Sequence, residues 1–409
     1  MHILLIHQAF VGIDEPGGTR HYEMAAHLVG KGHTVTVIAS PVSYLTGTGV
    51  TNQWKRKEES ELSGLTIIRA YTYQKLHRSF VHRILSFFSF AFSSFLIGLR
   101  VPKVDLVWGT SPPLFQAPAA WLISFLRRKP FLLEIRDLWP RFAVEVGVLT
   151  NPLLINLSEM LERFLYRRAR YVVVNSPGYI EHVKERGARQ VELVSNGSDI
   201  SMFHPGDRAE ELRVQYGWEG KFLVLYAGAH GMSNDLTVVL QAADLLRNRQ
   251  AIHFILVGDG KEKQALQQQA KEMQLPNVTF LPPVPKQEMH HFYSAADASV
   301  AILKPIEAYK TTYPNKVFDG MAAGRPLLLA IDGVSRDVLE EYSAGLFVEP
   351  GDPQALASAV CYLYEHPDEA AQMGINGRMA VKDHFDREKQ ALVMQSIIEG
   401  LNKQEISNP

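Results

Sequence analysis

One cysteine, Cys361, stands among 409 residues. A single thiol closes no intramolecular disulfide, which fits a reducing compartment. Neither sign of charge is in excess: 42 lysines and arginines stand against 43 aspartates and glutamates, a net charge of −1. Totals so balanced do not suggest a nucleic-acid or acidic partner. Four kinds of motif are missing from the sequence. No Asp-x-Asp and no His/Cys/Asp cluster at metal-ligand spacing occurs, so no metal site is expected. No Walker A loop and no Gly-x-Ser-x-Gly elbow occurs either. The start, MHILLIHQAF, has a short apolar run with no basic region ahead of it. It reads as a first strand rather than a signal peptide.

Long apolar runs are equally scarce, with one exception. From Ile84 to Leu99 the sequence is ILSFFSFAFSSFLIGL, with His77, Arg78, His82 and Arg83 before it and Arg100 and Lys103 after. It is short for a bilayer span. Ser86, Ser89 and Ser93 mark one weakly polar stripe at helical spacing. The bland reading is a buried or half-buried helix. The reading preferred here is a monotopic helix, with phenylalanines in the interface and basic residues against anionic headgroups.

What is present points to an α/β enzyme of two domains. Ile3 to Ile6 reads as a buried strand, followed by Pro16-Gly17-Gly18-Thr19-Arg20, a helix, Gly30-Lys31-Gly32, and a strand from Val35 to Ala39. The pattern returns halfway along. Phe222 to Tyr226 reads as a strand, Gly228 to Gly231 as a glycine turn, Leu236 to Leu246 as a helix and His253 to Val257 as a strand before Gly258-Asp259-Gly260. Two β-loop-α-β starts imply two doubly wound sheets. The turn-rich stretch SNGSDISMFHPGDRAEELRVQYG reads as the linker. Further strands are expected at Val104–Val107, Phe131–Ile135, Tyr171–Val174, Val278–Leu281, Ala298–Leu303 and Leu327–Ala330, with polar and glycine-rich residues at their carboxyl ends.

These pieces, in this order, resemble a retaining glycosyltransferase of family 4. The resemblance runs nearly end to end. It rests on Pro16-Gly17-Gly18, Gly30-Lys31-Gly32-His33, Ser195-Asn196-Gly197-Ser198-Asp199, Gly258-Asp259-Gly260, and the run Pro314-Asn315-Lys316 through Asp319 to Gly324-Arg325-Pro326. It implies a GT-B fold, two Rossmann-like domains facing a central cleft. The implied boundaries are 1–200 for an acceptor domain with a membrane-associating helix near 80–100, 207–386 for a nucleotide-sugar domain, and 387–409 for a helix crossing back. It also implies transfer from a nucleoside-diphosphate sugar, UDP-linked, to a polyprenyl-diphosphate-linked or glycan acceptor at the inner face of the cytoplasmic membrane. Neither cofactor nor metal is implied, and no nucleic acid. The nearest look is to bacterial O-antigen, capsule or exopolysaccharide enzymes handling N-acetylated or deoxy sugars. A sugar-nucleotide epimerase of the same fold and a non-catalytic donor-binding subunit are the alternatives.

The chain departs from the family pattern at three places. An arginine and a lysine that follow the glycine after the first strand of the second domain are Ala229 and Asn234 here. Gly228-Ala229-His230-Gly231 fits a subgroup with histidine instead. Of two glutamates eight positions apart, the first is Thr311 and the second Asp319. A histidine before an aspartate is replaced by Arg136, before Asp137.

Growing negative charge on a leaving diphosphate is the largest demand of glycosyl transfer. Thr311, Thr312, Asn315 and Lys316 precede a helix expected near Val317, whose N-terminus suits an anion. Lys316 adds a full charge, and Arg20 or Arg136 are further sources. Gly17, Gly18, Gly228 and Gly231 offer backbone access, and His230 is expected near the sugar or diphosphate. Asp319 is expected on the ribose, with a helix N-terminal carboxylate as its bland alternative; Asp259 and Val284 are weaker candidates beside the base. Arg136 and Asp137 are the catalytic candidates alongside Lys316, with a local Arg–Asp pair as their bland alternative. Glu134 is expected to point away.

Overall fold

A computed structural model describes residues 1–409 except 44–48, 50–56, 60–61, 76–77, 79, 207–208 and 408–409. His77, one of the basic residues flanking the apolar run, lies outside the described residues. The chain forms two units. Unit 1 takes residues 1–12, 19–195 and 390–409, and unit 2 takes residues 13–18 and 196–389.

Unit 1 is built in the order β1 (His2–Ile6), α1 (Arg20–Gly30), β2 (Thr34–Ala39), β3 (Lys57–Glu59), β4 (Leu65–Arg69), α2 (Phe80–Gly98), β5 (Leu106–Ser111), α3 (Gln116–Arg127), β6 (Phe131–Ile135), α4 (Arg141–Glu145), α5 (Pro152–Arg168), β7 (Tyr171–Val174), α6 (Ile180–Glu185) and β8 (Val191–Leu193). Its sheet runs β3-β4-β2-β1-β5-β6-β7-β8, parallel except for β3. The central strand ILLI is apolar on both faces because helices cover both, and FLLEI departs from that only at Glu134. Ile3 and Leu5 face Met24 and Leu28 of α1, and Met394 and Ile398 of the last helix. Leu4 faces α2, where a side chain at Gly98 would run into Ile123 of α3. Trp121 of α3 meets Phe164 of α5 edge to face at 4.7 Å. So α2, α3 and α5 lie side by side on one face.

Strand β5 starts and ends later than the sequence suggested. Gly109, Thr110 and Ser111 are strand residues rather than loop, because β1 and β6 pair with them on either side.

Unit 2 follows with α7 (Glu210–Tyr216), β9 (Phe222–Ala227), α8 (Leu236–Leu245), β10 (Ile252–Val257), α9 (Lys263–Glu272), β11 (Val278–Leu281), α10 (Lys286–Ala295), β12 (Ala298–Ile302), α11 (Asn315–Ala322), β13 (Leu327–Ala330), α12 (Val334–Tyr342), β14 (Gly345–Phe347), α13 (Pro353–Glu365), α14 (Pro367–Ala380) and α15 (Arg387–Ser407). Its parallel sheet runs β11-β10-β9-β12-β13-β14. Part of the stretch read as a linker is structured within this unit: Phe203 is fully buried, and Ser198 bonds to Asp319. From Gln390 onward α15 belongs to unit 1, where Gln395 and Glu399 bond to His27 and His33.

Helix α2 is long and apolar enough to cross a bilayer by length and composition. Its packing is that of a helix lying on a domain. The serines turn inward: the Ser89 hydroxyl accepts from the Tyr73 amide at 2.9 Å, and Ser93 donates to the Tyr71 carbonyl at 2.6 Å. Phe87 and Phe90 are buried beside them. Val81, Leu85, Phe88, Phe92 and Leu96 form the outward row, with Phe88 54% and Phe92 66% exposed.

Candidate active site

The strand order of unit 2 reverses at β9, since β10 and β11 extend to one side and β12 to β14 to the other. Carboxyl ends of strands at such a reversal form a ligand crevice. The loop after β9 and the start of α11 meet there. Helix α11 begins at Asn315, two residues before the expected start, and no side chain caps it. Val317 N–H donates to the Pro314 carbonyl at 3.1 Å, and the N–H groups of Asn315 and Lys316 precede that bond at the end of the helix that suits an anion. Lys316 sits in that first turn and reaches back to β9. Its Nζ lies 2.5 Å from Asn234 Oδ1 and 3.0 Å from Tyr226 Oη. It also lies 4.6 Å from the centre of the Tyr226 ring. The residue is half-buried with its ammonium end turned inward, and desolvation lowers its pKa to about 7. Burial raises the Tyr226 hydroxyl, which stays neutral.

Gly258 and Gly260 let the loops after β9 and β10 close on each other. A Cβ at Gly258 would sit 1.9 Å from the Gly228 carbonyl oxygen, and one at Gly260 would sit 2.5 Å from the His230 carbonyl oxygen. Both have φ near +150°, a region that favours glycine. Gly228 itself has φ +152°, and a Cβ there would approach Lys316 Nζ to 3.7 Å. Gly231 turns the loop by accepting the Asn234 amide at 3.0 Å.

His230 is fully buried, and neither ring nitrogen has a hydrogen-bond partner. Burial, then the Lys263 charge, lower its pKa to about 4, so the ring is neutral near pH 7. Leaving a buried imidazole unpaired is costly. A ligand that bonds to it recovers that cost. Its backbone amide donates to the Asp259 carbonyl at 2.8 Å. The Asp259 carboxylate accepts the Gly260 amide at 2.8 Å and shapes the turn. Lys263, which the sequence reading missed, donates to the carbonyls of Gly258 at 2.6 Å and Leu281 at 2.8 Å.

Asp319 lies in the second turn of α11, so it is not the first-turn carboxylate of the bland alternative. It accepts the Ser198 hydroxyl at 2.7 Å and stands 3.6 Å from Lys286 Nζ. Both partners were missed, although Ser198 belongs to the SNGSD motif and Lys286 follows Val284-Pro285. Val284 is half-buried in the β11–α10 loop. Thr311 and Thr312, expected in the donor set, stand just before α11. Their hydroxyls donate to Ala308 at 2.6 Å and Tyr309 at 2.8 Å within a 3-10 turn, and Thr312 is buried. They shape the loop that leads into α11. The Asn315 side chain accepts from Arg387 at 3.2 Å. Gly17 and Gly18 are exposed in the loop between β1 and α1.

A second cluster lies at the carboxyl ends of β1, β5 and β6 in unit 1. Arg136 follows β6 and donates to the Pro112 carbonyl. Asp137 is half-buried, and desolvation raises its pKa to about 6 against the pull of Arg136. Glu134, expected to point away, is fully buried. It accepts Arg20 Nε and His21 Nε2 at 2.9 Å each, and Trp108 Nε1 at 3.1 Å. Burial opposes its ionisation, but His21 and Arg20 outweigh that and hold it below the usual carboxylate range. Arg20 is thereby corrected as a source of diphosphate charge. It is buried, and its remaining donors hold the carbonyls of Val194 and Ser195 at 2.6 and 2.8 Å. His7 bonds to Thr110 at 2.9 Å and is held neutral by burial and by His21.

Two largely parallel sheets with helices on both sides, each with polar residues at its strand ends, are the architecture of the GT-B fold. The family described as "Glycosyl transferase 4-like domain" matches residues 17–197, and "Glycosyl transferases group 1" matches residues 221–366. The chain belongs to these glycosyltransferases of the family 4 type. It is 28% identical over 353 residues to the putative colanic acid biosynthesis glycosyl transferase WcaI of Escherichia coli, covering 83% of this chain and 86% of that protein. Its fold is similar to sucrose-phosphate synthase of Thermosynechococcus elongatus, with TM-score 0.76, 19% identity and 98% of each chain covered. It is also similar to Anabaena HepE in complex with UDP and glucose, with TM-score 0.73, 16% identity, and 98% of this chain and 100% of that chain covered.

Proposed function

We propose that this glycosyltransferase is retaining and metal-independent. It moves a sugar from a UDP-linked donor, held by unit 2, to a lipid-linked or glycan acceptor in bacterial surface-polysaccharide synthesis. The observation that carries the reading is the convergence of Lys316 and the uncapped start of α11 on the glycine turn after β9. An ammonium and helix N-terminal N–H groups at one point supply what a leaving diphosphate requires. The UDP named for Anabaena HepE and the colanic acid named for WcaI support the donor and pathway class.

In the proposed reaction the bond from the anomeric carbon to the diphosphate oxygen breaks, and its electron pair stays on that oxygen. The acceptor oxygen bonds to the anomeric carbon from the same face, and its proton passes to the departing diphosphate. Asp137 orients the acceptor hydroxyl. His230 bonds to the sugar or diphosphate, and Asp319, with Ser198 and Lys286, holds the ribose. The outward row of α2 supports docking of a cytoplasmic enzyme on the inner membrane face.

A thermal-shift panel of UDP-, GDP- and dTDP-sugars, followed by transfer to polyprenyl-diphosphate sugars, tests this reading. A shift with UDP-sugars and a product that keeps the donor's anomeric configuration are expected. An inverted product, or epimerised donor in the absence of acceptor, would overturn it.

A further inference from the structure

At the edge of unit 1 where β6, β7 and β8 begin, an open cleft of about 950 Å³ is lined by Arg128, Lys129, Arg167, Arg168, Arg170 and Arg189. This is the sheet edge opposite Arg136 and Asp137. No carboxylate is among the described lining residues. The whole chain has 42 basic and 43 acidic residues, so this concentration is not a matter of composition. Helices α3 and α5 end at the cleft, and cations commonly complement helix C-termini. Each end carries only about half a negative charge. Two ends call for about one cation, and Arg128, Arg167, Arg168 and Arg189 alone bring four.

Apolar groups protrude beside the charge. Phe125 is 64% and Leu126 53% exposed on the last turn of α3. Arg127 donates to the Leu99 carbonyl at 2.5 Å, which ties the ends of α2 and α3 together. The outward row of α2 therefore runs toward the same edge. On α5, Leu153, Leu157 and Met160 repeat at helical spacing and are exposed. Arg168 lies over the Phe164 ring at 5.4 Å, joining the aromatic contacts to the cations.

We infer that this cleft binds the phosphate headgroups of anionic phospholipids and clamps the α2–α3–α5 face of unit 1 to a bilayer. The inference rests on the membrane reading above and adds to it a second site, away from α2, for the anionic headgroups. Cations flanked by protruding aliphatic and aromatic residues match a bilayer surface, charged at the headgroups and apolar beneath. A soluble polyanion would use the cations and leave the apolar rows without a partner.

The test is co-sedimentation of the full chain with phosphatidylcholine vesicles, with and without phosphatidylglycerol. The variants are Arg128→Gln/Arg167→Gln/Arg189→Gln and, separately, Phe88→Ser/Phe92→Ser. All three replaced arginines are exposed, and circular dichroism checks the fold. Affinity of the triple variant for phosphatidylglycerol vesicles should fall at least tenfold, and its salt dependence should flatten. Transfer to a water-soluble acceptor should be unchanged. If the triple variant binds these vesicles like the wild type while Phe88→Ser/Phe92→Ser does not, the cleft assignment is wrong and membrane docking stands. If the wild type binds neither vesicle, both readings fall. If the triple variant loses only its retention on heparin, the cleft serves a soluble polyanion and the inference is overturned.

Discussion

Lys316 Nζ lies 2.5 Å from Asn234 Oδ1, which stands 82 residues away in sequence where the family pattern has a lysine on the loop after β9. In the proposed site this lysine, brought from α11, meets the donor diphosphate. Lys316→Ala should lower kcat/KM at least tenfold, a loss of about 1.4 kcal/mol or more of transition-state stabilisation. Steady-state kinetics with a saturating acceptor measure this, and unchanged kinetics would remove the phosphate assignment.

The same lysine should couple donor binding to protonation. Burial places its pKa at about 7, so at pH 8 most of the free enzyme carries it neutral. A diphosphate favours the ammonium and raises that pKa, so binding takes up a proton above pH 7. Titration calorimetry at pH 8 in two buffers of different ionisation enthalpy should report uptake, and donor affinity should weaken as pH rises. Lys316→Met should abolish the buffer dependence. A wild type whose binding heat is the same in both buffers would sink the coupling.

Asp137 should govern the acidic side of the pH profile. Its pKa is raised to about 6 by burial, so it is protonated below pH 6 and charged above. Turnover with a saturating donor should fall as pH drops through 6. Asp137→Asn should lower the plateau and flatten that limb. A wild-type acid limb that persists in Asp137→Asn belongs to another group.

Glu134 should be a residue of stability rather than of reaction. Glu134→Gln leaves Arg20 and His21 buried without their carboxylate. Breaking a buried ion pair in this way costs about 3–5 kcal/mol. Urea unfolding should show that loss, while activity per folded molecule is kept. A stable variant without activity would move Glu134 into the reaction.

Phe88→Ser/Phe92→Ser should release the protein from anionic liposomes at unchanged thermal stability. Both side chains are exposed, and the helix is held by its other face. Sedimentation identical to the wild type would remove the monotopic role of α2.

The order of strands and helices was written locally. Runs such as Ile3–Ile6 and Tyr171–Val174 carry no charged residue because both sheet faces are covered. Glycines, prolines and asparagines stand where loops turn. From these, and from the motifs between Pro16 and Pro326, the α/β class and the glycosyltransferase resemblance could be read. Hydrophobic period and turn chemistry act over a few residues, so one chain displays them without its fold. Charge placement does not work that way. Arg20 and Lys316 are both cations near a glycine motif. Packing buries one against Glu134 and aims the other at Asn234. The inward serines and outward phenylalanines of α2 share one helical period, and only the Tyr71–Tyr73 segment decided which face turned in. The sequence by itself determined the elements and the family. The tertiary structure alone decided which charged groups were desolvated, because burial and partner distance depend on residues far apart in the chain.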